Sequence, residues 1–247
     1  MKRFLNWQIL LGIFLIVLSA VLYLFHYAIF RDSHHIFIYL LSDIAFVPIE
    51  VLLVTLIIHR LLNAREKRAM MKKMNMVVGV FFSEVGTALL TLFSVFDPQS
   101  GKFGVKLLVA SNWPEQEFSI VKKYVKNYDC KIEINRGDIE GLRDFLVRER
   151  RFLLALLQNP NLLEHESFTD LLWAVTHLTE ELSHRKGLKN LPIADYEHLS
   201  GDIKRAYIML ITEWLAYMKH LKESYPYLFS LAVRTNPFDP AASPEVK

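Results

Sequence analysis

Two apolar runs, each long enough to cross a lipid bilayer and separated by a short polar linker, restrict this chain more than anything else in it. From Ile9 to Phe25 it reads ILLGIFLIVLSAVLYLF without a charge, and the apolar character continues to Phe30. A second run starts at Ile36 and ends at Ile58, before His59 and Arg60. A spanning helix needs about 20 apolar residues, each adding about 1.5 Å of rise. Both runs meet that length, and the spacing predicts helices over 7–30 and 36–59. The linker Arg31-Asp32-Ser33-His34-His35 is too short for anything but an antiparallel hairpin, which occupies residues 1–62. Trp7, Tyr23, Tyr27 and Tyr39 lie towards the ends of the runs, where amphipathic rings prefer the membrane interface.

Charge predicts the orientation. Lys2 and Arg3 precede the first run, and the linker holds Arg31 alone of the basic residues. Arg60, Arg65, Lys67, Arg68, Lys72 and Lys73 follow the second. The positive-inside rule then puts both termini in the cytoplasm of a cell whose inner membrane the hairpin crosses, with the linker outside. A cleaved signal peptide is the rival reading of MKRF and the run behind it. That apolar core is too long, however, and no small-residue cleavage site follows. Arg65, Lys67, Arg68, Lys72 and Lys73 would meet anionic headgroups as the second helix continues into the cytoplasm. The hydrophobic fraction of 52% is only slightly high, so the apolar excess is local to the hairpin. A net charge of +3, clustered beside apolar segments, points to lipid and away from nucleic acid. The single cysteine, Cys130, excludes an intrachain disulfide and has no zinc-ligand spacing around it, which fits a reducing compartment.

A third apolar stretch, MNMVVGVFFSEVGTALLTLFSVFD from Met74 to Asp97, holds Glu84 as its one charge before Asp97. Gly79, Ser83, Gly86, Thr87, Thr91 and Ser94 recur there at helical steps as a small, weakly polar stripe. A third span would place the charged remainder outside, so residues 63–97 read as a basic juxtamembrane helix and a close-packing cytoplasmic or membrane-surface helix. After a turn at DPQSGKFG, residues 98–236 read as a helical domain. A helix follows Pro114 to about Tyr128, Asp138 caps another, and Ser167 or Thr169 opens a third that stops at Gly187. A last long helix covers about Asp202 to Glu223. CKIEIN suggests one short strand, and residues 237–247 an irregular, exposed tail. The fold class is all-α: a transmembrane hairpin plus a cytoplasmic helical bundle.

The segments HHIFIYLLSDIAFVPIEVLLVTLIIHRLL, NPNLLEHESFTDLLWAVTHLTEEL and YPYLFSLAVRTNPFDP resemble a group of uncharacterised prokaryotic integral membrane proteins. The resemblance spans nearly the whole chain. It implies the architecture above and no activity, and no catalytic residue comes over with it.

Asp43 and Glu50 lie two helical turns apart within the second run, on one face. An intramembrane acid costs a few kcal/mol on insertion scales. The pair either lines a water-filled path between subunits or serves as polar glue between helices. Pro48 frees the carbonyl of Ile44 beside them. His34 and His35 at the outer mouth would sense acid pH, bind a metal or simply be solvated. In the cytoplasmic part His177, Glu181 and His184 share a helical face. Glu181-x-x-His184 matches the ligand spacing of di-iron bundles, and Asp195 with His198, or Glu213 with His220, are further conceivable ligands. Such a bundle needs two copies of that motif and two more glutamates, so the pattern assigns no metal and no cofactor. Phosphate-binding loops, the H-E-x-x-H helix and nucleophile elbows are absent from the sequence. The expected role is a non-enzymatic, membrane-anchored interaction or regulatory module, homo-oligomeric through its hairpin, with a cytoplasmic protein partner. An oligomeric ion or proton conductor using Glu50 and Asp43 is the alternative, and a metal-dependent membrane enzyme the next.

Overall fold

The computed structural model describes residues 2–160, 162 and 165–246, with side chains for all of these except residues 2–6, 8, 68, 69 and 72. The described residues are overwhelmingly helical, without a strand, and divide into two compact units, Met1–Lys67 and Arg68–Lys247.

In the first unit, α1 (Lys2–Phe30) turns back into α2 (Ser33–Phe81) through two residues. Arg31 makes that reversal in the left-handed region, at φ 48°, with its N–H donating to the carbonyl of Tyr27 at 2.9 Å. The Asp32 carboxylate accepts from the backbone N–H of His34 (3.0 Å) and of His35 (3.2 Å), which satisfies two otherwise orphaned donors. His34 and His35 therefore sit in the first turn of α2, not in the linker where the sequence put them. Pro48 lies inside α2 without ending it. Among the described residues, three stretches are long and apolar enough to cross a membrane: Ile9–Phe30, Ser33–Lys67 and Lys73–Phe96. Their burial separates them. The first two have no residues buried, whereas 44% of the third is covered by the protein.

That third stretch is the wall of the second unit's core. Met74, Phe81, Phe82, Leu89, Phe93 and Phe96 are all buried, on the end of α2, a π-turn (Phe82–Gly86) and α3 (Thr87–Phe96). In the π-turn the N–H of Thr87 reaches back five residues to the carbonyl of Phe82, and the Thr87 hydroxyl donates to the same oxygen at 2.8 Å. A Cβ on Gly86 would stand 2.6 Å from the Phe82 ring and 2.8 Å from that of Phe81. The ring of Tyr217 covers Gly79, and Ser83 and Thr91 are exposed, so the small-residue stripe is only in part a packing face.

The remaining helices are α4 (Ser100–Gly104), α5 (Glu115–Lys126), α6 (Ile139–Leu157), α7 (Glu166–His184), α8 (Ile193–Ser224) and α9 (Pro226–Arg234). Helix α8 is the axis of the unit, packing against α3, α5, α7 and α9. Its buried Ile203, Tyr207, Leu210, Trp214 and Leu221 recur at helical spacing, as do Phe168, Leu171, Val175, Leu178 and Leu182 on α7.

Four local expectations differ from the structure. The CKIEIN segment runs into a 3₁₀ turn at Ile134–Arg136, because the described residues offer no strand to pair with it. DPQSGKFG closes into the short α4. Helix α7 starts at Glu166 with the imidazole of His165 as its cap, Nδ1 accepting from the N–H of Phe168 at 3.2 Å. Helix α8 starts at Ile193, well before Asp202, behind Pro192, whose carbonyl accepts from Asp195 and Tyr196. The C-terminal tail is irregular yet anchored. Asn236 is buried, with its amide donating to the carbonyl of Leu107 at 2.8 Å, and Phe238 packs edge-on against Trp214.

Asp138 caps α6 as its sequence position indicates, accepting from the N–H of Gly141 at 2.9 Å. Asp138→Ala is expected to cost about 1 kcal/mol in chemical denaturation, the usual penalty for losing a cap. An unchanged midpoint would mean that the cap does not hold the helix.

Candidate functional site

The short connection from α7 to α8 brings two polar helical faces together. His177 and Glu181 are one turn apart on α7. The early start of α8 puts Asp195, His198 and Asp202 on a single face of that helix. Asp202 sits at the centre, only 3% exposed. Its Oδ2 lies 3.3 Å from Nε2 of His177 and 3.3 Å from Nε2 of His198. In neither pair is the geometry that of a hydrogen bond, so Oδ2 is buried without one. Oδ1 accepts from Arg205 Nη1 at 3.1 Å. One ligand atom each from His177, His198 and Asp202 lie within 4.8 Å of one another, and the imidazole planes stand at 88°. Both histidines are half-exposed, so the cluster opens to solvent on one side and is closed by Asp202 on the other.

Glu181 forms the rim, with Oε1 4.0 Å from His177 and Oε2 3.7 Å from His198. Its position is set by Arg185, which donates to Glu181 Oε2 at 2.6 Å and grips both oxygens of Asp195, at 2.9 and 3.2 Å. Hydrogen bonding to that guanidinium holds the carboxyls of Glu181 and Asp195 below their ordinary range. Carboxyls lowered in this way favour the folded state above their unfolded values. That contribution is lost as the pH falls through the folded ones.

The structure splits the histidine pattern read from the sequence. His177 and Glu181 belong to the cluster, whereas His184 turns back on its own helix, with Nδ1 2.8 Å from the carbonyl oxygen of Glu180. Glu180 itself is taken by Arg150 of α6, at 2.7 and 3.0 Å. Asp195 enters through Arg185, and His198 directly. Glu213 is buried elsewhere on α8, and His220 faces the side-chain amide of Asn75 at 3.0 Å. Asp202 was missed. Its signal is the spacing Asp195-x-x-His198-x-x-x-Asp202, legible only once α8 is known to begin before Asp195.

In the first unit, Asp43 lines a cleft of about 460 Å³ between α1 and α2, together with Ser19, Tyr23, His26 and Tyr39. His26 Nδ1 is buried without a hydrogen bond there. Glu50 and Pro48 lie outside this cleft, and Glu50 is exposed on its helix. His35 packs its ring on Tyr39 at 4.7 Å, and His34 is exposed. Arg65, Lys67 and Lys73 are exposed, while the side chains of Arg68 and Lys72, like those of Lys2 and Arg3, lie outside the described residues.

Cys130 is buried beside Asp97, whose carboxylate accepts from the Tyr128 hydroxyl at 2.8 Å. Burial, with Asp97 next, pushes the thiol up to about 12. A thiol so placed is a poor nucleophile. Under native conditions a maleimide is expected to leave Cys130 unmodified for hours, then add once per chain after denaturation. Rapid native labelling would show that this part of the core opens.

Architecture and site together define a class of protein: a two-helix apolar unit followed in the chain by a helical bundle with a His/Asp cluster between two of its helices. Residues 2–62 match the family described as "MJ1433, N-terminal helical domain", and residues 70–234 the one described as "Uncharacterized protein MJ1433, C-terminal helical domain". The chain is 47% identical over 234 residues to the uncharacterized protein MJ1433 of Methanocaldococcus jannaschii, covering 95% of this chain and 94% of that protein. It belongs to the MJ1433 family. No solved structure matches it.

Proposed function

We infer that this chain is a membrane-anchored module, in which α1 and the first part of α2 cross the cytoplasmic membrane as a hairpin and the bundle works at the inner face. One observation carries this reading: over Ile13–Phe25 and Phe37–Ile58 the described apolar side chains are exposed, with Leu40 alone among them half-buried. Exposed apolar surface costs about 25 cal/mol per Å² in water and nothing in lipid. A bilayer is the solvent that suits two whole helices in this state, which supports the anchored reading. Lys73–Phe96, of similar composition, supports the contrast, because the bundle already covers its apolar face.

The cations Arg60, Arg65, Lys67 and Lys73 after the second span support a cytoplasmic bundle, each adding about 1 kcal/mol at an anionic surface. Glu50 supports a homo-oligomer: its side chain is exposed on α2, and an acid in the hydrocarbon seeks a protein neighbour. The role we assign is non-enzymatic, the presentation of the bundle to a cytoplasmic protein partner. Extraction of membranes at alkaline pH tests the anchor. The chain is expected to stay in the pellet, and release into the supernatant would contradict a spanning hairpin.

The cleft around Asp43 favours a second reading, an ion or proton path. Asp43, His26 and two tyrosines gather polar atoms between otherwise apolar helices. Flux in proteoliposomes decides it, comparing the intact chain with Asp43→Asn and Glu50→Gln. Flux that needs either acid supports the path, and its absence leaves the acids as packing elements.

A further inference from the structure

We propose that His177, His198 and Asp202 form a binding site for a divalent first-row transition ion, of which Zn²⁺ is the best match, bridging α7 to α8. Three features of the cluster point to an ion. First, two of the three ligand–ligand distances are those of a coordination shell, and all three fall within 4.8 Å: ligands about 2.1 Å from a tetrahedral ion stand about 3.4 Å from one another. Asp202 Oδ2 is 3.3 Å from each imidazole nitrogen. Second, Oδ2 is a buried carboxylate oxygen without a hydrogen bond, flanked by two nitrogens that do not satisfy it. A buried anionic oxygen left in that state is strongly unfavourable, and a cation between the three atoms removes the penalty. Third, the remaining charges are arranged as an outer shell. Arg205 orients Asp202 through Oδ1, which leaves Oδ2 for the ion, and Arg185 holds Glu181 at the rim.

The donor set selects the metal. Two imidazoles and one carboxylate suit zinc and its neighbours, whereas Mg²⁺ and Ca²⁺ take oxygen shells and Cu(I) prefers sulfur. Three protein ligands leave a fourth position toward solvent, where a water or the nearby Glu181 carboxylate completes the tetrahedron. The ion ties the two helices at the end of the bundle where α7 passes into α8. The site is independent of the membrane reading, since all its ligands come from the second unit.

Zinc titration of the metal-stripped full chain in detergent, followed by calorimetry and thermal unfolding, tests the proposal. One equivalent is expected to bind, to resist a large excess of Mg²⁺ and to raise the unfolding temperature by linkage. His198→Gln and His177→Gln, both at half-exposed positions that tolerate substitution, should each weaken zinc binding about 100-fold and abolish the thermal shift. His184→Gln should change neither, because His184 is engaged with Glu180. Circular dichroism identical to the parent's confirms that the variants are folded. Absence of stoichiometric binding, or a loss with His184→Gln as large as with His198→Gln, would overturn the site.

Discussion

Phe93→Ala should lower the stability of the bundle by about 3–5 kcal/mol, the range for deleting a buried aromatic side chain. Phe93 is 0% exposed and meets the ring of Tyr207 edge-on at 6.0 Å, joining α3 to the central α8. The cavity cannot be filled by local collapse, because Leu89, Leu90 and Phe96 around it are themselves fully packed. For a unit of this size that loss corresponds to a fall in unfolding temperature on the order of 10 °C. Near-UV circular dichroism in detergent reads it directly. A fall below 2–3 °C would mean that this stretch is not committed to the bundle and is free to act as a third span.

Glu50→Leu should act in the opposite direction on insertion and disrupt association. An acid near the middle of a spanning helix costs about 2.5–3.5 kcal/mol on insertion scales, and leucine there is favourable by about 0.3–0.6 kcal/mol. The α2 segment should therefore insert more favourably by about 3 kcal/mol, as measured by glycosylation mapping. The homo-oligomer proposed above should weaken, because the substitution removes the polar group that a neighbouring copy would satisfy. Unchanged insertion would place Glu50 outside the hydrocarbon.

The parts of this fold that were legible in the sequence are those governed by local rules. The apolar faces of α7 and α8 follow from helical periodicity, and Asp138 from capping chemistry. The errors lie where tertiary context decides. No Ser, Thr, Asp or Asn caps α8. Its start behind Pro192 therefore carries a weak local signal, and the helix seemed to begin at Asp202. That one displacement hid the cluster, because a helix begun at Asp202 leaves Asp195 and His198 outside it and hides that Asp202 lies one turn beyond His198. His184 was grouped with His177 by spacing along α7, yet spacing cannot tell which histidine the neighbouring helix will face. Asn236 and Phe238 look like tail residues until their partners, Leu107 and Trp214, are brought to them by the fold. The cleft at Asp43 has the same origin, since His26 and Asp43 lie on different helices.

The most direct test of the anchored-module account is the sidedness of single cysteines introduced into the full chain. Native Cys130 is buried and should remain silent. Ser33→Cys lies at the start of α2 and Lys186→Cys on the exposed connection between α7 and α8. A membrane-impermeant maleimide applied to intact cells should label Ser33→Cys and spare Lys186→Cys until the membrane is permeabilised. Labelling of Lys186→Cys in intact cells, or of Ser33→Cys only after permeabilisation, would contradict the account.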